Sequence, residues 1–263
     1  MRCPDCNSGN YAQCKHYSFI GIWTDGAFAD YVVMPEKSVV VLDKSIPFDV
    51  AALFEPATVA LHGLRRLPDL SGSHLAVLGC GNIGLFAIQW AKILGAQYVT
   101  AFDVNEDRLA RAKRFGADFT VNSARSDVLE QAMAITNGRV FSRVCETAGS
   151  AVTMKLCFEL VENHGAACIV GTQNKDILFP PRLFEQLGRK EFTLTGSWMS
   201  YGAPFPGDDW FFTAESLKTG ALRIDETFIF RKFRLSEASE AFALFKSERV
   251  DGKVLFVMPG ESE

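Results

Sequence analysis

The sequence lacks several things that would have assigned it quickly. No uninterrupted apolar run reaches the ~18 residues of a membrane span, so no transmembrane helix and no membrane partner are expected. Basic charge is not in excess: Lys+Arg number 27 against Asp+Glu 31, a net charge of -4. A protein that wraps nucleic acid needs a basic surface to meet phosphates, so no nucleic-acid partner is expected. The chain opens Met1-Arg2-Cys3-Pro4-Asp5-Cys6, without a positive stretch followed by an apolar one, and no secretory leader is expected. There is no repeat of fixed period and no low-complexity tract. Polarity is not in surplus either; at 48% hydrophobic residues the chain can build a packed core, and wholesale disorder is excluded.

What is present first is an uneven set of seven cysteines. Cys3, Cys6 and Cys14 crowd the start, whereas Cys80, Cys145, Cys157 and Cys168 sit in apolar surroundings. The first group reads as a metal-type cluster and the second as buried thiols, which implies a reducing, cytoplasmic compartment. A tetrahedral zinc site wants four ligands. The three thiols make an incomplete structural site, with His16 as a candidate fourth ligand of awkward spacing.

Patterning then divides the chain. Phe28 to Val33 and Ser38 to Leu42 are β-branched or aromatic runs of strand length. A helix is expected from Glu55 or Pro56, because proline is tolerated in a first turn. From His74 onward strands and helices alternate. Strands are expected at 74–78, 98–102, 119–121, 140–145, 166–170 and 192–197, with helices between most of them. That alternation argues for an α/β fold with a mainly parallel sheet. Tyr201 to Trp210 reads as a loop, Asp209 to Lys218 as a helix, Phe228 to Phe233 as a strand, Ser236 to Phe245 as a helix and Lys253 to Met258 as a strand. A frayed tail is expected at 259–263.

Gly79-Cys80-Gly81-Asn82-Ile83-Gly84 is G-x-G-x-x-G after an expected strand and at the start of an expected helix. Asp103 ends the next strand, 19 residues after Gly84. This is a dinucleotide-binding signature in its required context. The first glycine permits the turn, the second lets the backbone approach a pyrophosphate, and the third lets helix and strand close together. The helix N-terminus offers donors to phosphate. Asp103 can accept both ribose hydroxyls and would repel a 2'-phosphate, which favours NAD. Ligands in an open parallel sheet sit beyond the carboxyl ends of the strands, so Thr147, Gly171 and Thr172 are candidate lining residues. Arg108 could reach the adenine or ribose; an ordinary solvated arginine is the alternative.

The cysteine cluster, Gly26 to Tyr31, Glu55-Pro56 with Val59-Ala60-Leu61-His62, and Gly79 to Gly84 with Asp103 resemble the zinc-dependent medium-chain alcohol and polyol dehydrogenases. Glu146 to Gly149, Gly171-Thr172, Arg189-Lys190-Glu191, Gly196-Ser197-Trp198-Met199 and Gly252 to Leu255 point to the polyol-phosphate branch. The resemblance implies a Rossmann-type parallel sheet plus the remnant of a GroES-like β-rich catalytic domain. It implies a partial GroES-like domain over 1–55, an NAD-binding domain over 56–208 and a return to the catalytic domain over 209–263. It implies NAD-dependent oxidation of a secondary alcohol, in a polyol or polyol phosphate of the galactitol 1-phosphate type, to the ketose. Glu55 is the implied zinc ligand, the alternative being a carboxylate that the helix N-terminus alone favours; the cysteine and histidine that accompany it in the family are expected upstream, as in an N-terminally truncated chain. Arg189 and Lys190 are candidate phosphate contacts, with a strand-edge or surface role as the equal alternative, and a homodimer, or a tetramer, is implied. The alternatives are a catalytically incompetent NAD-binding protein, and a zinc-free NADPH-using reductase that Asp103 and the cysteines disfavour.

Overall fold

In a computed structural model of the chain, residues 3–247 and 250–258 are described; the tail at 259–263 lies outside them. Two compact units result. One comprises Pro56–Met199 with Ala221–Arg223, and the other Met1–Glu55, Ser200–Gly220 and Ile224–Glu263.

The first of these units is built on six parallel strands. They are β1 (His74–Leu78), β2 (Tyr98–Asp103), β3 (Phe119–Asn122), β4 (Phe141–Glu146), β5 (Val161–Ile169) and β6 (Thr193–Gly196), in the order β3-β2-β1-β4-β5-β6. This is the doubly wound dinucleotide-binding order, and its reversal falls between β1 and β4. The apolar strands are covered on both faces: all of β1 after His74 and all of β2 after Tyr98 are buried. Helix Asn82–Ile93 is apolar nearly all round because it packs inside, with Trp90 fully buried and its Nε1 donating to the Ala57 carbonyl at 2.9 Å. Helix Glu106–Arg114 starts at Asn105, whose side chain accepts from the Arg108 N–H. Gln89 reaches 221–223, exchanging bonds with the Arg223 carbonyl (3.0 Å) and N–H (2.9 Å).

Strand β5 begins at Val161, five residues before the Ala166 expected from the pattern, because Val161 already pairs with Phe141 across an irregularity in the β4 register. The stretch before β6 holds two short helices, Pro181–Phe184 and Gln186–Arg189.

In the other unit, β7 (Ile229–Arg234), helix Ala238–Ser247 and β8 (Lys253–Val257) form a βαβ unit, with β7 and β8 parallel. Phe233, Ala241 and Leu244 form its small core, against Phe230, Val254 and Phe256. The expected strands at 28–33 and 38–42 are absent. Their composition suits a strand, but no neighbouring strand supplies a ladder among the described residues, and Tyr31 and Val33 stand 91% and 94% exposed. A strand is a pairing as much as a composition. Ser200–Asp208, expected within the nucleotide-binding domain, belongs with this unit: Ala12 N–H donates to the Tyr201 carbonyl (3.2 Å) and Ala203 N–H to that of Gly9 (2.8 Å). Among the described residues no helix is long and apolar enough to cross a membrane.

Candidate functional site

The carboxyl ends of β1, β2, β4 and β5 bring together most of the residues that the sequence nominates. Gly79 leaves β1 with φ +98, a left-handed conformation that favours glycine, and its N–H donates to the Phe102 carbonyl at 2.7 Å. A Cβ at Gly84 would fall on the Gly79 carbonyl oxygen, so the helix can approach the strand only with glycine there. Gly81 is different: a Cβ there would meet nothing within 4 Å, and the helix that it opens has no side-chain cap. Asn82 and Ile83 form its first turn. Open space, an uncapped helix N-terminus and flanking glycines form a cradle for a pyrophosphate.

Asp103 ends β2 and is only 6% exposed. Its Oδ2 accepts from Cys80 N–H at 2.8 Å and its Oδ1 from Asn105 N–H at 3.0 Å. Arg108 Nη1 lies 3.8 Å from Oδ2, so the arginine faces the carboxylate rather than bulk water. A carboxylate offers about four acceptor positions, which leaves capacity for a ribose diol. Burial first, then the Asp103 charge, pushes the Cys80 thiol far up; it is packing, with Sγ 3.6 Å from the Phe102 carbonyl.

Thr147 follows β4 and stitches it to the glycine turn. Its N–H donates to the Leu78 carbonyl (2.9 Å) and its Oγ1 to that of Gly79 (2.9 Å). Gly171 and Thr172 follow β5, and a Cβ on Gly149, at φ +64, would collide with the Thr172 carbonyl. The sequence places Glu146 at the end of β4 without a role of its own; its carboxylate lies among these turns. A carboxylate closing an apolar strand was the available signal.

The cysteine cluster lies in the other unit. Cys3, Cys6 and Cys14 place their sulfurs within 4.8 Å of one another, with Cys3 Sγ 3.5 Å from Cys6 and 3.7 Å from Cys14. Sulfurs around a tetrahedral zinc are about 3.8 Å apart, from a Zn–S bond of about 2.3 Å. The three thiols therefore fit a zinc ion, and His16 N–H donates to Cys14 Sγ at 3.4 Å. The Cys6 N–H lowers the Cys3 thiol, whereas burial raises Cys6 to about 11. The exposed His16 ring is not part of the cluster.

Glu55 sits in the first turn of helix Phe54–Arg65. Burial raises its carboxyl, and the Lys253 charge opposes that. Tyr201 is raised to about 12, by burial and then by the Glu55 charge. Among the described residues Glu55 joins no group of three metal-capable side chains, so no step through a catalytic metal is derived from it.

Arg189 and Lys190 do not line the crevice. Arg189 pairs with Glu185 at 2.9 Å. Lys190 Nζ donates to the carbonyls of Phe158 (2.7 Å), Glu159 (3.1 Å) and Val161 (2.8 Å), capping the end of helix Ala151–Leu160. Their positive charge suggested phosphate; Glu185 has taken that of Arg189 and the helix terminus that of Lys190.

The zinc-binding dehydrogenase family model matches residues 82–213, and the alcohol dehydrogenase GroES-like domain matches residues 1–44. Galactitol 1-phosphate 5-dehydrogenase of Escherichia coli K12 is 36% identical over 255 residues, 97% of this chain and 73% of the relative. This chain belongs to the zinc-binding dehydrogenases. The family's fold follows the same path: the crystal structure of galactitol-1-phosphate dehydrogenase from Escherichia coli superposes with a TM-score of 0.89 at 35% identity, covering 96% of this chain and 73% of that one. A Sinorhizobium meliloti 1021 protein described as a zinc-binding dehydrogenase, solved with NADP bound, gives 0.85 at 29% identity, covering 97% and 73%. These relatives make the chain a zinc-type dehydrogenase by descent, an oxidoreductase family.

Proposed function

We propose that this chain binds NAD(H) at the carboxyl ends of β1, β2, β4 and β5 and serves oxidation of a secondary alcohol of a polyol or polyol phosphate to the ketose. The observation that carries the reading is Asp103. Its carboxylate is fixed beside the glycine turn by Cys80 N–H. A ribose diol finds acceptors there, and a 2'-phosphate finds like charge. Arg108 does not reverse this preference, because it already faces Asp103. The Sinorhizobium relative holds NADP, so the NAD reading of this chain turns on the Asp103 charge at the ribose. Gly79, Gly81, Asn82, Ile83 and Gly84 hold the pyrophosphate; Thr147, Gly171 and Thr172 shape the far wall. When bound, NAD supplies the hydride acceptor, and the protein orients it and excludes water.

Cys3, Cys6 and Cys14 hold a structural zinc, and the polyol-phosphate assignment rests on the Escherichia coli relative. A second reading, cofactor binding without turnover, is favoured by one observation: among the described residues Glu55 is in no group of three metal-capable side chains. Steady-state NAD+ reduction with galactitol 1-phosphate and with sorbitol, run beside NADH binding, separates the two. Turnover supports the first reading and binding alone the second. Failure to bind any nicotinamide cofactor contradicts both.

A further inference from the structure

Glu146 is the most deeply placed charge near the crevice, with no exposed surface at all. A buried carboxylate is costly unless it is hydrogen-bonded, so its bonds show what it is kept for. Oε1 accepts from Ala148 N–H at 2.9 Å, Gly149 N–H at 2.8 Å and Thr153 Oγ1 at 2.7 Å. The main-chain carbonyl of the same residue accepts from Val170 N–H at 2.8 Å and Gly171 N–H at 3.1 Å. One residue thus ties the turn after β4 to the turn after β5. The two turns are pressed together: a Cβ on Gly171 would fall on the Gly149 nitrogen and lie 2.6 Å from Glu146 Oε2. Thr147, next in sequence, is bonded to Gly79 of the glycine turn. Oε2 is buried and meets no donor among the described residues. Only Oε1 does the holding, which an amide oxygen can do as well. Burial raises the Glu146 carboxyl against the pull of its donors, so a neutral replacement loses little.

We propose that the Glu146 side chain is a positioning group of the cofactor crevice, fixing the Ala148–Gly149 turn against which Gly171–Thr172 packs, without touching the dinucleotide itself. This rests on the cofactor reading above. A turn locked before the ligand arrives costs nothing to reorganise; released, it must be ordered at the expense of affinity.

The test is NADH affinity, read by energy transfer from protein tryptophan, for the full chain and four variants. Glu146→Ala removes the side-chain hold on Ala148, Gly149 and Thr153, leaves the main-chain bonds to Val170 and Gly171, and should weaken NADH about tenfold or more, the loss expected when buried donors are left unpaired. Glu146→Gln keeps the accepting oxygen and should stay within about threefold of the unaltered chain. Phe158→Leu, a core change further along helix Ala151–Leu160, is the control for lost stability and should keep its affinity. Glu146→Asp withdraws the oxygen by one methylene and decides the matter if the Ala variant does not fold; it too should weaken binding. Unaltered affinity in Glu146→Ala, or in Glu146→Asp where that stands in, overturns the proposal. So does an equal loss in Phe158→Leu, and so does a Gln variant as weak as Ala. If the unaltered chain binds no NADH, the cofactor reading itself fails, and that result is distinct from all the others.

Discussion

The Asp103 carboxylate accepts a hydrogen bond from the Cys80 main-chain N–H at 2.8 Å, joining the end of β2 to the middle of the glycine turn. On the proposed reading, cofactor choice and loop geometry share one side chain. Asp103→Ala should narrow the preference for NADH over NADPH by about tenfold, by removing both the ribose acceptor and the repulsion of a 2'-phosphate. It should also lower stability by about 1–3 kcal/mol, because two main-chain donors lose their partner. Paired binding isotherms and thermal melts check the two effects.

Gly84→Ala tests close packing rather than charge. Its Cβ would be driven into the Gly79 carbonyl oxygen, which is backbone and cannot step aside. The helix must move off the strand, at a cost of about 1–3 kcal/mol. A lower melting temperature with weakened NADH binding is expected; a melt like that of the unaltered chain would show that the turn has slack.

Much of this was legible because glycine constraints are local. Gly79, Gly81 and Gly84 act within one turn and its helix, and Asp103 follows at the spacing of one βαβ unit. Glu146 was not legible as a clamp, because its value depends on the turn after β5 lying against it, 25 residues on at Gly171. Residues 28–42 misled for the converse reason: β-branched composition shows what a strand prefers, not whether a partner is there. Lys190 misled by its charge, which is spent on the carbonyls of a helix end. Ser200–Asp208 could not be assigned to a unit from composition, since only the bonds of Tyr201 and Ala203 to the N-terminal lobe decide it.

Lys190→Met separates capping from ligand binding. Three carbonyls lose their donor, so the melting temperature should fall by several degrees, equivalent to about 1–2 kcal/mol. Affinity for phosphorylated polyols should not change. A selective loss of such affinity would return the residue to the substrate site.

His74 gives the first unit an acid-sensitive point. Its Nε2 is 2.9 Å from Thr100 Oγ1, and its ring packs edge-on against Phe141. Burial lowers its pKa below 6.5, and the nearby Asp118 charge opposes this. The unfolded chain therefore binds the proton more readily than the folded one. Stability should be fully present above pH 6.5 and be lost as the pH falls from there toward the folded value. His74→Gln should show a smaller fall in melting temperature over that window.

Among the described residues the cluster offers three ligands, and a closed structural site has four, so zinc held by these three alone should be held but not locked. Cobalt substitution should give sulfur-to-metal charge-transfer absorption that Cys14→Ser weakens. Zinc should fall below one per chain on dialysis against a mild chelator. Full retention through that treatment would require a further ligand.

The central claim is that this chain takes NAD(H) through Asp103 and the glycine turn. Calorimetric titration of the unaltered chain with NADH and with NADPH tests it most directly. The account predicts saturable binding of NADH, tighter than NADPH by about tenfold or more; equal affinity, or tighter NADPH, would contradict it.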